Sequence, residues 1–215
     1  MNRINQALAK SLPVLLLSTL ILSCASIPEL QILYRLPPRS GELQGGKIAL
    51  TIEDRRALKT ILGKGARPEF EGFTETISLS VARDSQKGLN AGIFKVPSLL
   101  REAFKRRLEN AGLEVRSEKS PGIPQLAVII NEFRLDLIDR EWIARMNYEA
   151  KLIKDGKIVA NRIINGQAEQ YKLIGRDAAD TLMGEIFTDM INALDLISLF
   201  KQAGIPGIRG SGNLI

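Results

Sequence analysis

The chain has 215 residues, a formal charge of +6 at pH 7, 45% hydrophobic and 25% charged residues, one cysteine and no histidine. That length suits a single domain with a proper core, which one cysteine cannot brace with an internal disulfide. Without histidine the commonest general base and transition-metal ligand are missing, so Ser-His-Asp triads, Cys-His pairs and the usual zinc sites are excluded, and no metal or cofactor is expected.

Residues 1–10 carry Arg3 and Lys10 and no acid, and residues 11–22 are apolar apart from small hydroxyls and Pro13. These are the charged region and apolar core of a secretory signal. Even as a helix the apolar run reaches only ~18 Å, short of the ~30 Å hydrocarbon core. It therefore does not span a membrane by itself. Ile21 at −3 and Ser23 at −1, followed by Cys24, resemble the lipobox of bacterial lipoproteins, with Leu22 at −2 departing from the smaller residue usual there. The resemblance implies that leader 1–23 is removed and that Cys24 carries diacylglycerol and often an acyl chain on its new amine. Ala25 in place of aspartate after the cysteine favours the outer membrane, facing the periplasm, over the inner one.

Residues 24–46 hold Pro28, Pro37, Pro38, Gly41, Gly45 and Gly46 around one apolar patch, Leu30, Ile32, Leu33, Tyr34 and Leu36. They read as a lipid anchor and tether whose middle rests on the domain or the bilayer. The domain is expected to begin at Lys47, where Ile48, Leu50 and Ile52 alternate with smaller or polar residues as in a strand with one apolar face. A loop, residues 54–65, follows. Its Gly63-Lys64-Gly65 cluster lacks the spacing and the following Ser/Thr of a phosphate loop. A second strand is expected at 76–83.

Leu99, Leu100, Ala103, Phe104, Leu108 and Ala111 recur at helical spacing after Val96-Pro97-Ser98, and Gly112 supplies a left-handed stop. The outer face of this helix holds Arg101, Lys105, Arg106 and Glu109. Strands are expected at 126–138 and 142–153, the second alternating Trp142, Ala144, Met146, Tyr148, Ala150 and Leu152 with polar residues. Asp155-Gly156 suits a two-residue hairpin turn, and counting out from it sets Leu152 against Val159, Glu149 against Arg162 and Tyr148 against Ile163. Trp142, first of the apolar stripe, is core or a ligand platform. A second helix spans 176–194, with Asp177, Asp180, Glu185 and Asp189 on its wet side, and a short one spans 196–203. Residues 205–215 form a loose tail.

The expected fold is α+β: a two-layer sandwich of a mostly antiparallel sheet of about five strands, two main helices on one face and a short C-terminal helix, all within 47–204. With these elements placed, the chain resembles the YajG-like family of bacterial lipoproteins. The matching features are Cys24; the first strand running into Asp54-x-Arg56, then Ile61 and Gly63; helix 98–112 with Leu113 and Val115; strand 126–133; the Asp155-Gly156 turn; and Ala178, Asp180, Asp189, Met190, Phe200, Lys201 and Gln202. The resemblance implies an envelope lipoprotein with no established enzymatic activity and no agreed ligand.

The expected role is a non-catalytic binding or scaffolding module on the membrane through Cys24. Its partner would be another envelope protein or an anionic envelope glycan or lipid, not nucleic acid. The candidate surfaces are the edge of the first strand, the loop carrying Asp54, Arg56 and Lys59, and the basic helix face of Arg101, Lys105 and Arg106. Asp54 and Arg56 point the same way on an extended chain, so they either brace the turn or present a binding corner. Two other roles are an auxiliary lipoprotein of an envelope transport system and a glycan hydrolase built on Asp136, Asp139 and Glu141.

Overall fold

A computed structural model describes residues 29–40, 43–83, 86–173 and 175–204. Cys24, the leader and the tail 205–215 lie outside the described residues. The fold is α+β, with eight strands in two sheets among the described residues. The strands are β1 (Leu30–Leu36), β2 (Lys47–Asp54), β3 (Ile77–Arg83), β4 (Leu89–Phe94), β5 (Glu114–Arg116), β6 (Gln125–Ile138), β7 (Glu141–Lys154) and β8 (Lys157–Tyr171), and the helices are α1 (Val96–Asn110), α2 (Asp177–Ala193) and α3 (Leu196–Gln202).

The larger sheet has the order β5-β2-β6-β7-β8, with β2 parallel to both neighbours and the β6-β7-β8 meander antiparallel. Pro97 sits in the first turn of α1, where a missing N–H breaks no helical bond, and the chain leaves that helix through Gly112 at φ +95°. Asp155 and Gly156 both take positive φ, as the hairpin requires. The β6–β7 turn does the same with Asp139 at +49° and Arg140 at +68°, residues with no glycine to advertise it.

Two bulges adjust the meander. Asn131 is an extra residue in β6, so the buried series Leu126, Val128, Ile130 resumes at Phe133 and Leu135, one position out of phase. Beyond Ile153↔Ile158 the β7–β8 register slips by one, which corrects the pairing counted from the turn. Leu152 meets Ala160, Glu149 meets Ile163 and Tyr148 meets Ile164, leaving Val159 unpaired at the hairpin end. Trp142 is fully buried edge-on to Phe70, so it belongs to the core.

The main correction concerns the expected tether. Leu30, Ile32, Tyr34 and Leu36 are buried on β1, a strand parallel to β3 in a second, three-stranded sheet of order β1-β3-β4. The core thus starts at Leu30, not Lys47. Tyr34 packs edge-on to Phe187 of α2, which also meets Phe133 of β6, so one aromatic chain ties the small sheet, the helix and the large sheet together. α1 and α2 lie over the inner face of the large sheet, where Phe104 packs on Tyr148 and the Tyr148 hydroxyl donates to the Met190 carbonyl at 2.8 Å.

Candidate functional site

The charged corner after β2 is held from within. Arg56 is 6% exposed; its Nε and Nη2 donate to the two carboxylate oxygens of Asp54, each at 3.0 Å, and its backbone N–H donates to the same group at 3.1 Å. Lys59 adds its ammonium at 3.1 Å and also reaches the Asp54 carbonyl at 2.9 Å. Burial alone would raise the Asp54 pKa, but the hydrogen bonds from Arg56 and Lys59 outweigh it and bring it to about 2. The pair braces the turn. A cavity of about 470 Å³ opens beside it, between this corner, Glu75 and the start of α1 at Lys95–Pro97.

The Gly63-Lys64-Gly65 loop has a packing explanation. Gly63 N–H donates to the Leu135 carbonyl and Gly65 N–H to the Asp136 carboxylate, at 2.8 and 3.0 Å. A Cβ on Gly63 would run into that carboxylate, and one on Gly65 into the Leu137 carbonyl oxygen. The glycines let the loop lie flat on β6. Asp136 also accepts from Leu137 N–H and stands 3.6 Å from Arg134, so it anchors this loop, while Asp139 and Glu141 are exposed at the β6–β7 turn.

On the basic face of α1, Arg106 pairs with Glu102 at 2.6 Å and Lys105 with Glu109 at 3.8 Å, while Arg101 donates to the Leu50 carbonyl at 3.2 Å. Two of its three cations are thus paired with carboxylates on the helix itself, while Arg101 is held by the β2 backbone. The edge of the first expected strand is covered in part: β6 pairs with Ala49–Asp54 on one side of β2, while three-residue β5 pairs only with Lys47–Ala49 on the other. Among the described residues the outermost strands are β1 and β4 in the small sheet and β5 and β8 in the large one.

The edge of β1 is closed by side chains of α2, a feature the sequence reading missed. Asp180 accepts from Gln31 N–H at 2.9 Å; Thr188 accepts from Arg35 N–H at 3.2 Å and donates to the Leu33 carbonyl at 3.3 Å; Asn192 donates to the Arg35 carbonyl at 3.0 Å. Their spacing of eight and four residues puts all three on one helical face, the only signal the sequence offered. The helix comes this near because of Gly184, whose Cβ would lie 3.3 Å from the Leu33 nitrogen. Asp180, expected on the wet side, is half-buried, and burial raises its pKa to about 6 against the opposing pull of Gln31 N–H and Arg176. A groove of about 720 Å³ runs along this seam, with Arg35, Lys87 and Glu185 at its rim.

On the outer face of the large sheet, side-chain amides form a ladder. Asn131 Nδ2 donates to Asn147 Oδ1 at 3.0 Å, and Asn147 Nδ2 donates in turn to Asn165 Oδ1 on β8. Arg145 Nε donates to Gln167 Oε1 at 2.7 Å.

No protein-family model and no curated protein matches the chain. The YajG-like resemblance therefore rests on the residues that suggested it. Among solved structures, the fold is similar to that of XCC0632 from Xanthomonas campestris, family-model DUF330, at 16% identity and a TM-score of 0.56 over 84% of this chain and 97% of that one. A minor lipoprotein from Acinetobacter baumannii matches at 9% identity and a TM-score of 0.36, over 71% of this chain and 94% of that one. Rare lipoprotein B from Shewanella oneidensis matches at 8% identity and 0.37, over 72% and 98%. The first shows a shared fold alone, and the other two are too distant to carry an argument.

Proposed function

We propose that the chain is a lipid-anchored, non-catalytic binding module of the bacterial envelope, held by Cys24 on the periplasmic face of the outer membrane. The observation that supports this reading is the shortness of the join between anchor and core. Cys24 closes the lipobox-like run, and Leu30 is already fully buried as the first residue of β1. The six peptide steps between them reach at most about 20 Å. The domain then sits on the bilayer rather than on a long leash.

Such confinement raises the domain's effective concentration for other membrane components, so a weak interface is enough for function. A second envelope protein fits this better than an anionic glycan or lipid, because Lys105 and Arg106 on the basic face of α1 are paired with Glu109 and Glu102 and Arg56 is committed to Asp54. The carboxylates that could have served hydrolysis are in part committed too, since Asp136 accepts from Gly65 N–H and Leu137 N–H.

Intact-mass analysis of the chain extracted from the membrane fraction with detergent tests the anchor. The expected species begins at Cys24 and carries a diacylglyceryl group with further acylation, firm enough to survive high-salt washing. A chain still beginning at Met1, or an unmodified Cys24, contradicts the reading.

A further inference from the structure

We propose that the outer edge of β8 pairs with the β8 edge of a second copy of this chain, joining two large sheets about a twofold axis. A sheet edge presents unpaired N–H and C=O groups that template another strand, and proteins commonly shorten, twist, charge or cover such edges. Of the four outermost strands among the described residues, three are managed in that way. β1 is covered by α2. β4 has six residues, breaks register against β3 between Leu79 and Ser80 and carries Gly92 at φ +128°. β5 has three residues.

β8 is different. It runs for 15 residues without a proline, its bulge is confined to the hairpin end at Val159, and from Ile163 to Tyr171 its only charged side chain is Glu169. Among the described residues no strand pairs with its outer edge. Ile163 is 62% exposed there, and Ile164 and Ala168 on the other face are only half-buried.

The side chains favour a second copy as the occupant. The amide ladder from Asn131 through Asn147 ends on β8, where Asn165 receives a hydrogen bond through Oδ1 and its Nδ2 finds no acceptor among the described residues. An antiparallel pairing centred on Gly166 sets Asn165 opposite Gln167 of the second copy, and Gln167 opposite Asn165 of the second copy. Amides of this kind continue a ladder across the junction. The same register places Ile164 against Ala168, Arg162 against Gln170 and Ile163 against Glu169. No like charges meet, and the half-buried apolar pair is covered from both sides.

Sedimentation velocity on the full chain in detergent tests the pairing, comparing wild type with the double variant Asn165→Lys/Gln167→Lys, which sets ammonium against ammonium at two symmetric places. The expected wild-type species has twice the mass of one chain, and the variant, with an unchanged circular dichroism spectrum, associates at least about tenfold more weakly. A second variant, Asn165→Cys/Gln167→Cys, needs no loss of stability to be informative. Opposed positions in an antiparallel pair stand about 4.5–5.5 Å apart at Cα, within disulfide reach, so oxidation should give a reducible dimer. A single-chain species at 100 µM overturns the proposal. So does a dimer indifferent to the two lysines, an edge occupied by this chain's own segment 205–215, or an edge taken by another protein while this chain stays single.

Discussion

β1 and β8 each end a sheet, and the chain finishes them in opposite ways. Along β1 the outward N–H groups of Gln31 and Arg35 and the carbonyls of Leu33 and Arg35 are taken by Asp180, Thr188 and Asn192 of one helix, which Gly184 admits to close range. The same helix packs over β8 as well, but on its inner face, and leaves the edge bare. What separates β1 from β8 is thus where the polar row of one helix falls. A strand that looks like linker became core, and the longest strand kept an outer edge that no described strand pairs with.

The largest expected effect comes from removing the closed edge altogether. A chain that begins at Lys47 lacks Leu30, Ile32, Tyr34 and Leu36, each worth about 1.5–3 kcal/mol of burial. Their sum rivals the whole stability of about 5–15 kcal/mol usual for a domain. This truncation should show no cooperative thermal transition by circular dichroism, whereas one beginning at Glu29 should melt cooperatively.

Next in size is Gly184→Val, which forces branched carbons between α2 and the β1 backbone. Overpacking of this kind costs about 1–3 kcal/mol. At roughly 2–4 °C per kcal/mol for a chain this long, calorimetry should find Tm lower by several degrees.

Asp180→Asn sharpens the comparison through pH. The folded pKa of Asp180 is raised from 3.8 to about 6, so between those values the folded chain holds more protons than the unfolded one and stability falls as pH rises. Asparagine keeps the acceptor for Gln31 N–H and removes the charge. Thermal melts from pH 4 to 8 should therefore show the variant more stable than wild type above pH 6 and flatter between pH 4 and 6. Asp54, lowered to about 2, has the opposite sign: its contribution is complete above pH 4 and is lost as pH falls toward 2.

The smallest effect belongs to the open edge. Ile163→Thr changes a side chain that is 62% exposed, so at dilute concentration its stability should lie within about 0.5 kcal/mol of wild type by urea unfolding.

Periodicity announced most of the large sheet and both main helices, because Trp142 to Leu152 and Leu99 to Leu108 repeat at periods that only one secondary structure satisfies. The Asp155-Gly156 turn was equally plain. What escaped was set by distant partners. Leu30, Ile32, Tyr34 and Leu36 alternate as a strand should, but the prolines and glycines around them pointed to a tether, and β3, the partner that makes them core, lies some 40 residues downstream. β4, with Asn90, Ala91 and Gly92, carries little apolar signal of its own. A single bulged residue, Val159, was enough to shift the counted β7–β8 register by one. At the candidate site, Asp54 and Arg56 were visible as a pair, while their bidentate, buried geometry depends on the fold around them. The edge-closing row of α2 was hidden because Asp180, Thr188 and Asn192 resemble an ordinary solvated stripe.

Amide hydrogen exchange, read strand by strand at low and high protein concentration, tests the contrast between the two edges most directly. The Gln31 and Arg35 amides should be strongly protected at both concentrations, because α2 of the same chain closes them. The outward amides of β8 should exchange freely in dilute protein and become protected as concentration rises. Rapid exchange at Gln31 and Arg35, or β8 protection that ignores concentration, would contradict the account.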